Sequence, residues 1–147
     1  MTTLLDSRTS QNASYANSIA IPILTVNTPQ LVGQIGLNVS QAADTDLVAT
    51  QFTGTVSLQL PLSVVGITIT VVRGTSYTDP LVYSATSTFN LSVLAPQVIS
   101  ITGSDYDVEI GAVEEDLLVY TMFVESNLLG AIRVGPESFN AGAYILG

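Results

Sequence analysis

The stretch "GITITVV", residues 66–72, places Ile67, Ile69 and Val71 on one side of an extended chain and Thr68 and Thr70 on the other. A period of two is the mark of a strand with one dry face and one wet face. The pattern recurs along the chain. In "GTVSLQL" (54–60), Val56, Leu58 and Leu60 oppose Thr55, Ser57 and Gln59. "STFNLSVL" (87–94) aligns Phe89, Leu91 and Val93, and "QVISITG" (97–103) aligns Ile99 and Ile101. Turn residues separate these runs: Asn27-Thr28-Pro29, Asp44-Thr45-Asp46, Gly74, Asp79-Pro80, Ala95-Pro96, Gly103-Ser104-Asp105, Gly111, Asn127 and Gly135-Pro136. No helix and no internal repeat competes with them. About eight to ten short strands at this spacing predict an all-β fold, an antiparallel β-sandwich of jelly-roll type.

The composition agrees. A chain of 147 residues is one domain by size, and 47% apolar against 10% charged residues is enough to build a core. The filler is hydroxylic, 17 Thr and 15 Ser, which suits pleated surfaces and turns. Net charge is −9, with Arg8, Arg73 and Arg133 as the only cations and no Lys. A phosphate backbone and an anionic lipid surface both need cations, so no nucleic-acid or membrane partner is expected. The absence of Cys rules out disulfides and thiolate metal sites, and without Lys an isopeptide crosslink is also excluded.

Catalytic machinery is equally sparse. With no His there is no Ser-His or Cys-His pair and no histidine metal site, and no glycine-rich phosphate loop is present. No cofactor is expected. The one acidic cluster, "DYDVEIGAVEED" (105–116), would put Asp105, Asp107 and Glu109 on one side of a strand, a weak candidate for calcium. The chain is therefore expected not to be an enzyme.

Two segments break the wet-face rule. "LLVYTMFV" (117–124) is apolar on both faces and "IAIPILTV" (19–26) nearly so. A two-faced apolar strand must be covered twice, by the second sheet and by a loop, the N-terminal arm or another subunit. Tyr120 and Phe123 are accordingly expected at a covered surface. Pro22 cannot donate to a ladder, which puts its strand at a sheet edge open to another chain.

The opening "MTTLLDSRTSQNASYANS" is polar, lacks a secretory signal pattern and precedes the β-rich text. It reads as a connector arm, residues 1–17, ahead of a sandwich domain, residues 18–147. Extended, the arm would reach about 55–60 Å, enough to cross into a neighbouring protomer. Leu4, Leu5 and Tyr15 are the expected anchors, and Arg8 is expected to meet a neighbour's carboxylate within Asp105–Asp116.

The close of the chain, "YTMFVESNLLGAIRVGPESFNAGAYILG", together with "TFNLSVLAP" and "ISITGSD", resembles spore-surface proteins of the Bacillus group. Within that group it is most similar to Cys-free subunits of endospore appendage fibres. The resemblance implies a jelly-roll subunit, located on the spore surface (exosporium or coat), whose N-terminal connector docks into the next copy. It implies a head-to-tail homopolymer as the partner, with a separate anchoring protein and a tip protein at its ends. The alternative is a binding module, a closed trimeric head of tumour-necrosis-factor-like or lectin-like kind.

Overall fold

The computed structural model describes residues 3–90, 95–113 and 116–146, without the side chains at 107 and 112. Leu91 and Val93 of the alternating run, and Glu114 and Glu115 of the acidic cluster, lie outside the described residues. Ten strands follow in chain order: β1 (Thr3–Ala13), β2 (Ile21–Pro22), β3 (Gln30–Asn38), β4 (Leu47–Gln59), β5 (Val65–Arg73), β6 (Leu81–Phe89), β7 (Gln97–Glu109), β8 (Leu117–Ser126), β9 (Ile132–Arg133) and β10 (Glu137–Ile145). A 3-10 turn, Ile110–Ala112, follows β7.

Every strand pair is antiparallel. One sheet runs β1-β10-β4-β7, with the two-residue strands β9 and β2 continuing it past the end of β10; the other runs β3-β8-β5-β6. Four strands facing four, with consecutive strands passing between the sheets, is the jelly-roll arrangement. Its first strand is β1. The arm expected to stand outside the sandwich is corrected on this point: Thr3–Ala13 pairs along its length with β10 of the same chain.

The alternating runs meet as the period demands. Val56 and Leu58 from β4 and Ile67, Ile69 and Val71 from β5 all point into the core. Phe52 stands at its centre, with ring centroids 6.1 Å from Tyr83, 6.2 Å from Phe139 and 6.4 Å from Tyr120. Gly103, which reads as part of a turn, lies in mid-β7 directly opposite Phe52. A Cβ there would come within 2.7 Å of the Phe52 ring, so glycine is required by the ring and not by a bend.

The two-faced β8 is covered within the chain. Leu118, Tyr120, Met122 and Val124 face the other sheet. On the outer face the connection between β5 and β6 folds back over the strand. Thr121 Oγ1 donates to Gly74 O at 2.6 Å and Tyr77 packs edge-on against Phe123 at 5.5 Å, while Leu117 at the start of the strand stays exposed. Of the covers the sequence left open, the loop is the one found.

Gly103→Ala should destabilise the fold by about 1–3 kcal/mol, because overpacking beside an aromatic cannot relax cheaply. Urea unfolding reads this directly, and a neutral effect would mean that the Phe52 ring is free to move aside.

Candidate assembly and binding surfaces

β1 has one hydrogen-bonded neighbour and gives little to the core: Leu5 packs against it partly buried, and Ala13 is buried at the strand's end. Leu4 and Tyr15, expected as anchors, are exposed, Tyr15 at 70%. Arg8 is exposed as well and its Nε donates to Asp6 of its own chain at 3.1 Å, not to the acidic cluster. Asp6 also accepts from the backbone N–H of Asn38 at 2.8 Å and so ties β1 to β3 of the opposite sheet. That bond, foremost, holds the Asp6 carboxyl below the ordinary aspartate value, with partial burial opposing it and Arg8 adding to it.

The other end of β1 is moored in the interior. Asn12 Nδ2 donates to Glu137 Oε1 at 2.7 Å and to the carbonyl of Val32. Glu137 is fully buried and takes both Nε and a terminal nitrogen of Arg133, itself 4% exposed. Arg133 Nη1 donates to Gln30 Oε1 at 3.1 Å. One carboxylate thus joins β1, β3, β9 and β10. The sequence reading singled out neither residue. The available signal was an arginine, one of three, set in the uncharged run "SNLLGAIRVGP" with a glutamate four residues on. A buried cation requires a buried partner.

A second buried network crosses between the sheets. Arg73 Nε and Nη2 each reach Asp105 at 2.6 Å, and the Tyr120 hydroxyl donates to Asp105 Oδ2 at 2.7 Å and lies 3.0 Å from Thr50 Oγ1. Burial, more than the adjacent carboxylate, pushes the Tyr120 phenol well above its ordinary value. Tyr120 is therefore a core residue, and its expected place at a subunit surface is corrected; Phe123 is covered by Tyr77. Pro22 does sit on the edge strand, β2, opposite Ile132.

The calcium candidate does not form as expected. A bulge sets residues 106 and 107 of β7 against Ala49 alone, because Thr50 pairs with Asp105 and Val48 with Val108. Asp105 turns inward and Glu109 is exposed, so the strand alternation that would align them is broken; the Asp107 side chain lies outside the described residues. Among the described residues no group of three carboxylates could hold a metal ion.

Charge divides the molecule end to end. The connections 39–46, 74–80 and 110–116 share one end, and they carry Asp44, Asp46, Asp79 and Asp116. The connections 14–29, 60–64 and 127–136 share the other, where Arg133 is the sole charged residue and is buried. That end exposes Leu24, Val26, Leu62, Val64, Leu128 and Leu129, whereas the acidic end exposes Leu47, Leu81 and Leu117 beside its aspartates.

No family model matches the chain, and no curated protein matches it. Among solved structures it is similar to dimeric latent PorU of Porphyromonas gingivalis, with a TM-score of 0.51 and 6% identity, covering 97% of this chain and 13% of that one. Weaker similarities reach the particles of Israeli acute paralysis virus (TM-score 0.33, 11% identity, 99% of this chain and 70% of that one) and infectious bursal disease virus Gx strain (0.35, 12%, 99% and 31%). The chain spans about an eighth of the PorU chain it matches. At such identities the likeness concerns the fold alone.

Arg133→Met should cost about 3–5 kcal/mol, since it strands a buried carboxylate, and Arg133→Met combined with Glu137→Leu should recover much of that loss. Equal losses in the single and double variants would show that the stranded carboxylate is not the source of the loss. Asp6 has the opposite sign of exposure to pH. Its folded value is lowered, so its contribution is present above the ordinary aspartate value of about 3.9 and fades as pH falls through the lowered one. Asp6→Asn should therefore be less stable than the parent at neutral pH, with the difference closing in acid; a difference independent of pH would remove the carboxylate from the account.

Proposed function

We propose that this chain is a structural protein, a jelly-roll subunit that self-assembles into an extracellular fibre, and that β1 is the element copies exchange. The observation that carries the reading is the position of β1. It is a terminal strand at a sheet edge, moored by hydrogen bonds and by few core side chains. Every bond it makes with β10 can be made equally by the β1 of another copy, so exchange costs little beyond straightening the linker. Residues 14–20, irregular and with Asn17 in the left-handed region (φ 57°), form that linker; extended, seven residues span about 25 Å. Head-to-tail exchange that does not close into a ring grows as a filament.

The separation of charge supports the same reading. Copies with a net charge of −9 repel one another, least at the end whose connections expose six aliphatic side chains and no charged one. The resemblance of the C-terminal stretch to Bacillus-group spore appendage subunits supplies the location, a spore surface. No catalytic role is proposed: the chain lacks His, Cys and Lys, and its buried ionisable groups are engaged with one another.

An engineered disulfide tests the exchange, because the chain has no cysteine of its own. Gln11 of β1 and Ser138 of β10 are register partners. Gln11→Cys combined with Ser138→Cys, oxidised after assembly, should yield filaments by negative-stain microscopy and a ladder of covalent multimers on a non-reducing gel. Filaments with only monomeric protein on the gel would overturn strand exchange. Discrete particles alone would overturn the fibre and leave the trimeric head.

A further inference from the structure

The outer face of the β1-β10-β4-β7 sheet carries a second feature, independent of assembly. Register aligns its outward side chains in rows across four strands. One row is Ser7, Gly142, Gln51 and Ser104, and the next is Thr9, Asn140, Thr53 and Thr102. Where they meet there is an open cleft of about 400 Å³. Gly142 forms its floor, and a Cβ built there would lie 3.4–3.6 Å from the end of the Tyr144 side chain, which bounds the cleft on one side.

Three properties define what the cleft can hold. First, among the described residues no carboxylate or guanidinium lines it, although the chain carries twelve acids and three arginines. An anion would find no cation there, and a cation no carboxylate. Second, among the described residues the side chains of Gln51, Thr102 and Ser104 have no intramolecular hydrogen-bond partner, and Asn140 makes only a long bond of 3.4 Å to Thr53. Phe52 and Ala141 also reach the lining, so the cleft has apolar surface, but a wholly apolar ligand would strip water from these polar groups without replacing it, at a cost. Third, hydroxyls and carboxamides both donate and accept, as the hydroxyls of a sugar do, so each displaced water can be matched bond for bond. The Tyr144 ring at the border adds an amphipathic surface for the C–H face of a pyranose, and the volume falls within the range of ordinary ligand sites.

We propose that this cleft binds a neutral polysaccharide. A fibre built from the subunit would then display one such site per copy, but the site requires only the folded chain.

The test is affinity electrophoresis of the full chain in gels containing soluble starch, galactomannan, mixed-linkage β-glucan or glycol chitin, with polygalacturonate as the acidic comparison. Calorimetry follows, with the oligosaccharide derived from whichever polymer retards the protein. At least one neutral polymer should retard it and polygalacturonate should not. Gln51→Ala and Tyr144→Ala should each weaken binding about tenfold, the worth of one hydrogen bond or ring contact. Gly142→Gln should fill the cleft and abolish binding, with thermal midpoints unchanged in all three variants. Two outcomes would overturn the proposal: no retardation by any neutral polymer, or retardation undiminished in the three variants.

Discussion

Closure of the first sheet by pairing the first strand with the last is the constraint on which the rest of this structure depends. β10 is flanked by β4 on one side and by β1 on the other, and its Phe139 and Ala141 belong to the core that Phe52 organises. Remove β1, and β10 becomes an edge with unpaired backbone groups, while Glu137 at its start loses the Asn12 amide. The pairing joins residues more than a hundred positions apart in sequence, so it forms only once the intervening strands have brought the ends together. It is therefore essential to the closed domain and formed by the segments farthest apart in sequence.

The polar interior is arranged around that closure. Each of the three arginines pairs with a carboxylate of its own chain, and each pair spans or abuts a junction: Arg8 with Asp6 at the tie between β1 and β3, Arg73 with Asp105 between the sheets, Arg133 with Glu137 where four strands meet. Arg133–Glu137 is buried, Arg73–Asp105 partly so and Arg8–Asp6 exposed at its arginine; buried pairs add little net stability compared with apolar replacements but penalise any arrangement that separates them. In a core otherwise made of interchangeable Val, Ile and Leu, they mark one register among many. Asp44, Asp46, Asp79 and Asp116 lie at the end opposite Leu24, Leu62, Leu128 and Leu129, so the two ends of the domain differ in charge.

Much of the fold was legible. Alternation in "GITITVV" and "GTVSLQL" identified the strands and their inward residues, since a period of two is a local property of an extended chain. The demand for two covers over 117–124 was also legible, but what meets it was not, because the loop carrying Tyr77 is adjacent in space and not in sequence. Gly103 was misread as a turn because the ring that requires its small size lies on another strand, more than fifty positions away. The supposed row of Asp105, Asp107 and Glu109 failed for a related reason: strict alternation assumes an unbroken strand, and a single bulge opposite Ala49 broke it.

By itself the sequence determined the class of fold and the range of chemistry. Strand periodicity and turn residues act within a few positions, and the absence of His, Cys and Lys removes reactions wherever the residues end up. Only the tertiary structure decided that the polar opening segment is a strand of the sandwich. Thr3–Ala13 has too little apolar surface to declare itself, and it becomes a strand because β10 offers it a row of backbone partners. The uncharged outer cleft was decided in the same way. Its residues come from four strands spread across nearly the whole chain, and no local pattern could have placed them side by side.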